Sequence, residues 1–134
     1  MTWQAEVLCA GQAEGRVLRL DAPISFWGGV SAENACVTLA GHPQQGQSIT
    51  GRIVVIPRTI GSSSSSAILL ELIYKAIAPK AIILGERDAI LPIGVVVAAQ
   101  MGWPTLPVFL LREAPFATGD QIALLPDGRI TVST

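Results

Sequence analysis

Charge is what this sequence has least of. Only 14% of its 134 residues are Asp, Glu, Lys or Arg, and the formal net charge is −1. An ordinary soluble domain carries about 25%. No basic field exists to hold a phosphate backbone, so the chain is not expected to bind nucleic acid. Histidine is nearly missing, with His42 alone. A Ser-His-Asp triad or a multi-histidine metal site therefore cannot be built from this chain by itself. Cysteine is limited to Cys9 and Cys36, at a spacing that matches no zinc, iron–sulfur or CxxC pattern. They read as two buried thiols in a reducing compartment.

A clean membrane span is lacking too. Residues 89–111 are uncharged and long enough to cross a bilayer. Yet Pro104 and Pro107 would break a lone spanning helix, and no neighbouring span exists to repair it. The stretch reads as a short helix, a turn and a buried strand. The opening MTWQAEVLCA has no basic residue and is interrupted by Glu6, so it is not expected to be a signal peptide. A cytoplasmic location follows as an expectation.

What remains is apolar. Half of the residues are hydrophobic, and mean hydropathy is +0.51. Disorder is excluded, since it needs low hydrophobicity and high net charge. The length suits one domain, residues 1–134, with a real core. A small domain normally covers itself with charge. This one cannot, and without a membrane span the expectation is a large contact with another protein.

The pattern along the chain alternates between two grammars. Glu6–Ala10 and the alternating Arg16–Leu20 read as short strands around a turn, a candidate hairpin. Phe26-Trp27-Gly28-Gly29-Val30 reads as a packed turn. A short strand is expected near Cys36–Leu39. Gly51–Pro57 is a near-continuous apolar strand, as when both faces are covered. Ala67–Ile77 reads as a helix stopped by Pro79, with a thin polar stripe from Glu71 and Lys75. Ala81–Gly85 is a second apolar strand, and Glu86-Arg87-Asp88 an exposed loop. Leu91–Met101 is a second helix, with Pro92 near its start and Gly102 past its end. Leu106–Leu111 is a third strand. Gln121–Leu125 and Arg129–Val132 flank the turn Pro126-Asp127-Gly128. The expected class is α/β: a mixed, partly barrel-like sheet, a parallel β-α-β-α-β core and two buried helices.

Five serines, Ser62–Ser66, stand between a buried strand and a helix. A flexible linker would lie in a polar tract, and this run does not. The serines fit an N-cap and first turn, where side-chain oxygens meet free N–H groups. A Gly-then-Ser entry to a helix also suits an anion, a carboxylate or phosphate. It is not a P-loop, since no GK[ST] follows. A lone serine is a poor base and needs a cation or helix N-terminus to favour its alkoxide. Arg58 is the only cation close in sequence, and it reads equally well as a surface arginine.

With these residues in view, the chain resembles a known family. Phe26–Val30, His42-Pro43, Gly51–Pro57, Gly61–Ser66 and Ala78-Pro79-Lys80-Ala81 look like the small subunit of the aconitase X family, which is similar to the swivelling domain of aconitase. The resemblance implies a swivelling β/β/α domain. It implies a heterodimeric hydro-lyase whose iron–sulfur cluster is held by the large subunit, with none bound by this chain. Such a chain should be inactive alone. The family dehydrates cis-3-hydroxy-L-proline, mainly in bacteria, or mevalonate 5-phosphate in archaea. The first Ser after the Gly is the family's proposed proton acceptor, which carries over to Ser62. Gly61, Ser63, Ser64 and Arg58 are then candidate substrate-binding residues for a small anion. One departure stands out: aconitase-type swivel domains follow the Ser pair with an Arg that holds the substrate carboxylate, and here Ser64 occupies that place.

Only two lysines are present, Lys75 and Lys80, whereas hyperthermophile chains are rich in Lys and Glu. The lean is to a mesophilic bacterial source and to hydroxyproline. The mevalonate 5-phosphate reaction and a non-catalytic anion-binding regulatory subunit stay open as alternatives.

Overall fold

Ile53–Ile56 is four apolar residues in a row, and all four are buried. They form β4, at the middle of an eight-stranded sheet seen in the computed structural model, which describes residues 1–133. The other strands are β1 (Thr2–Gln4), β2 (Glu6–Cys9), β3 (Ala13–Arg19), β5 (Ala81–Leu84), β6 (Val108–Leu110), β7 (Gln121–Leu124) and β8 (Arg129–Val132). The helices are α1 (Phe26–Gly29), α2 (Ser65–Tyr74) and α3 (Ile93–Gln100). The sheet order is β1-β8-β7-β3-β4-β5-β6-β2. Strands β3 to β6 pair in parallel, and the flanking pairs are antiparallel.

The two outermost strands, β1 and β2, are successive pieces of one segment, separated only by Ala5. The Ala5 N–H donates to the Gly128 carbonyl at 2.9 Å. The ends of the sheet are thus joined through one residue, and the sheet curls into a partial barrel.

Alternation along each strand feeds two cores. Val17, Ile53, Val55, Ile83 and Phe109 point into the barrel, with Phe116, Ile122, Leu124 and Ile130. Leu18, Val54, Ile56, Ile82 and Leu84 point the other way, onto Leu69 and Leu72 of α2 and Val95 and Ala98 of α3. Hence β4 and β5 read as unbroken apolar runs: each residue has a core to enter. The mixed sheet with its parallel β-α-β-α-β centre matches the sequence reading, and the Pro-Asp-Gly turn does join β7 to β8.

Several details differ from that reading. The candidate hairpin does not form: β2 pairs with β6, and both edges of β3 are taken, by β4 and β7. β3 is not half-buried along its length, because Val17 and Leu18 enter opposite cores. Residues 36–39 make only single bridges, Val30 to Val37 and Cys36 to Ser48, and no ladder. β1 had no signal strong enough to be read. The Phe26–Gly29 turn is one helical turn with extended backbone at Trp27 and positive φ at Gly28.

The α2 helix stops before Pro79. Ala76 adopts a positive φ of 61°, and the Ile77 N–H reaches back to the Leu72 carbonyl at 3.0 Å. This C-terminal turn satisfies the last carbonyls earlier than the proline requires. The two helices lie against each other at Gly94: a Cβ placed there would sit 2.6 Å from the Ser66 carbonyl oxygen. Each helix packs one face on the sheet. The outer face of α3 is apolar yet open, with Ile93, Val96 and Val97 exposed.

Candidate functional site

The serine run leaves the carboxyl end of β4 and enters α2, where parallel sheets characteristically place ligands. The stem of this loop is held on two sides. On one, Ile24 pairs with Thr59 as a parallel bridge, and the Ile60 N–H donates to the Ile24 carbonyl at 2.9 Å. On the other, Thr59 Oγ1 donates to Asp88 Oδ2 at 2.7 Å. Gly85 permits this approach: a Cβ there would lie 2.5 Å from the Pro57 carbonyl oxygen. Side chains do not fit between the two strand exits, so the exits touch through backbone.

The serines separate into distinct roles. Ser65 is buried. Its Oγ meets Ser25 Oγ at 3.2 Å and accepts from the Trp27 N–H at 3.4 Å. It therefore ties α2 to the Phe26–Gly29 turn and faces inward. Ser66 is partly buried, and its Oγ donates to the Ser63 carbonyl at 3.4 Å. Ser62 is half-buried, and its Oγ accepts from the Ser64 N–H at 3.3 Å. Its carbonyl accepts from the Ser65 N–H at 3.2 Å. A donor aimed at an oxygen favours negative charge on it. Ser63 is exposed and Ser64 half-buried. Among the described residues, neither hydroxyl has a hydrogen-bond partner, and neither do the N–H groups of Ser62, Ser63 and Ser66.

Gly61 is exposed, and a Cβ there would meet nothing within 4 Å. The fold of the chain does not itself require glycine at this point. Arg58 is exposed; its carbonyl accepts from the Ile24 N–H at 3.4 Å. Among the described residues no hydrogen bond or ion pair joins its guanidinium to the serines. The structure thus brings Ser62, Ser63 and Ser64 together and leaves Arg58 on the loop stem with no tie to them.

A cleft of about 340 Å³ opens at the same end of the sheet, on the barrel side. Arg19, Pro57, Gly85, Glu86 and Arg112 line it, and no serine of the run does. It shares only Pro57 with the loop stem. His42 is a structural residue: its Nε2 lies 3.0 Å from the Ala22 carbonyl, and its Nδ1 accepts from the Gln44 N–H at 3.0 Å. Cys9 is buried in the helix-side core, and burial pushes its thiol pKa up. Cys36 is partly exposed. Among the described residues no three His, Cys, Asp or Glu side chains converge as metal ligands. The donor set of this chain does not fit an iron–sulfur cluster. No helix among the described residues is long and apolar enough to cross a membrane.

The sequence reading missed Thr59, Asp88 and Ser25. Asp88 lies in what reads as an exposed charged loop, and Glu86 and Arg87 are indeed exposed. Asp88 is half-buried, and its Oδ1 accepts from the Ile90 N–H at 2.7 Å. The available signal was an acidic residue shortly before a proline at a helix start. Ser25 and Thr59 carry no comparable local mark.

A family model of the aconitase X swivel domain matches residues 2–132. The cis-3-hydroxy-L-proline dehydratase of Pseudomonas aeruginosa is 40% identical over 123 residues, 92% of this chain. That match covers 20% of the relative, so the chain spans about one-fifth of its length. The phosphomevalonate dehydratase small subunit of Thermococcus kodakarensis is 40% identical over 98 residues, 73% of this chain and 74% of that one. The crystal structure of Thermococcus kodakaraensis aconitase X in its holo-form superposes with a TM-score of 0.90 at 31% identity, covering 100% of this chain and 99% of that one. The family-model match over nearly the whole chain and the 40% identity show that the chain belongs to the aconitase X swivel-domain family, and the superposition agrees.

Proposed function

We propose that this chain is the small subunit of a hydro-lyase of the aconitase X family, acting on a small hydroxy acid with Ser62 as proton acceptor. The observation that carries the reading is the division among the serines. Ser65 is used up inside the fold, whereas Ser62 sits half-exposed with a backbone N–H aimed at its Oγ. That donor and the N-terminus of α2 favour the alkoxide form. Ser62 Oγ then takes the proton alpha to the substrate carboxylate, the electron pair forms the new double bond, and the hydroxyl on the neighbouring carbon leaves as hydroxide. The proton held on Ser62 Oγ later neutralises that hydroxide to water and restores the alkoxide. The N–H groups of Ser62, Ser63 and Ser66, with the Ser63 and Ser64 hydroxyls, are donors for the carboxylate. They stand where the aconitase-type arginine is missing, and Arg58 supplies longer-range positive charge.

The substrate we favour is cis-3-hydroxy-L-proline. The full-length relative with that name covers nearly the whole of this chain at 40% identity. Phosphomevalonate dehydratase small subunits match either at 40% over only 98 residues or at 32–34% over 118 to 131 residues, so mevalonate 5-phosphate is the second reading. The apolar, uncharged outer face of α3 supports a large-subunit partner. We assign the iron–sulfur cluster to that partner, because the donor set here does not fit one. The setting we assign is cytoplasmic.

The test is reconstitution. The purified chain should bind no iron and turn over neither compound. Combined with the large polypeptide of the same source, it should dehydrate cis-3-hydroxy-L-proline in preference to mevalonate 5-phosphate. Turnover by the isolated chain, or a reversed preference, contradicts the assignment.

A further inference from the structure

We propose that Asp88 is a positioning residue for the serine loop, acting through Thr59. This rests on the reading of Ser62 as proton acceptor. The Asp88 carboxylate uses its two oxygens in two directions. Oδ1 accepts from the Ile90 N–H at 2.7 Å and the Leu91 N–H at 3.4 Å, closing the turn that enters α3. Oδ2 accepts from Thr59 Oγ1 at 2.7 Å. One side chain thus locks the β5–α3 crossover to the stem of the β4–α2 crossover. Hydrogen bonds to an ionised acceptor are short and roughly twice as strong as neutral ones.

The fold prepares this latch. The exits of β4 and β5 touch at Pro57 and Gly85, which sets Thr59 and Asp88 side by side. On its far side Thr59 is held by the Ile24 bridge. Ser62 follows three residues later, at the mouth of the loop. Clamping the stem fixes where Ser62 Oγ and the donor N–H groups stand relative to a substrate. The deeper contact at Ser65 fixes only the start of the helix. Asp88 therefore controls the part of the loop that Ser65 does not.

The clean probe is Thr59→Val, which removes the latch and leaves the Asp88 Oδ1 contacts in place. In the assembled enzyme kcat should fall about 10-fold to 100-fold, the scale of a displaced reacting group, while KM moves less. Thr59→Ser, which restores the hydroxyl, should recover wild-type kcat. Hydrogen exchange at the Ile60 and Ser64 amides, the hydrogen-bonded ones of this stretch, should quicken in Thr59→Val and stay unchanged at amides 93–100. Wild-type kcat in Thr59→Val overturns the proposal, and so does a kcat loss without faster exchange at the Ile60 and Ser64 amides. If Ser62→Ala instead keeps normal kcat, the Ser62 reading fails; the exchange pattern still decides whether Asp88 holds the loop.

Discussion

Two crossovers leave this sheet side by side and do opposite things. The β4–α2 and β5–α3 loops are each eight residues long and each enter a helix at the carboxyl end of a parallel strand. The entrance to α3 is closed. Asp88 caps the Ile90 and Leu91 N–H groups, and the Ile93 and Gly94 N–H groups donate to the Ile90 and Leu91 carbonyls. The entrance to α2 is open, with the N–H groups of Ser62, Ser63 and Ser66 unspent among the described residues. Identical topology therefore yields one entrance whose N–H groups are spent on the chain itself and one with N–H groups left free among the described residues, the entrance proposed to receive the substrate carboxylate. A helix start becomes a site when its own side chains leave the N–H groups to a ligand.

The largest expected effect is at the open entrance. Ser62→Ala in the assembled enzyme should lower kcat by about 10²–10⁴-fold, the usual loss for a general base, with little change in the melting curve. Next comes the contact between the two helices. Gly94→Ala puts a methyl against the Ser66 carbonyl and should destabilise the chain by about 1–3 kcal/mol, read by denaturant unfolding. Ser65→Ala leaves the Trp27 N–H without its acceptor and should cost about 1 kcal/mol. Its kcat should fall far less than that of Ser62→Ala. Arg58→Ala should raise KM modestly with no change in stability; an unchanged kcat/KM returns Arg58 to the surface. The smallest effect reports on the closed entrance. Cys9 Sγ lies 3.8 Å from the Pro92 carbonyl, and burial keeps its thiol protonated. Iodoacetamide near neutral pH should label Cys36 well before Cys9. Fast labelling of Cys9 would mean that the α3 entrance opens.

Much of this contrast was legible in the sequence, and the part that was not has a physical reason. Ile53–Ile56 and Ala81–Leu84 declared a doubly covered parallel sheet because a strand between two cores has no polar face. The Ser62–Ser66 run declared a helix entrance by composition. The division of labour within the run was hidden, because it depends on Ser25 and Trp27, about forty residues away in sequence. Asp88 was hidden for the same reason: its partner Thr59 lies 29 residues back. The false hairpin arose because local turn residues cannot announce that β2 will pair with β6 near the other end of the chain. Sequence patterns report local conformation and burial; partners across the sheet come only with the fold.

The central claim is that the α2 entrance receives the substrate carboxylate and the α3 entrance does not. Amide chemical shifts of this chain, isotope-labelled within the assembled enzyme, test it most directly. The titrant is L-proline, which keeps the carboxylate and lacks the leaving hydroxyl. The account predicts that the Ser62, Ser63 and Ser66 amides shift with saturation while those of Ile90, Leu91, Ile93 and Gly94 stay still. Saturable shifts at the α3 entrance, with none at the serines, would contradict it.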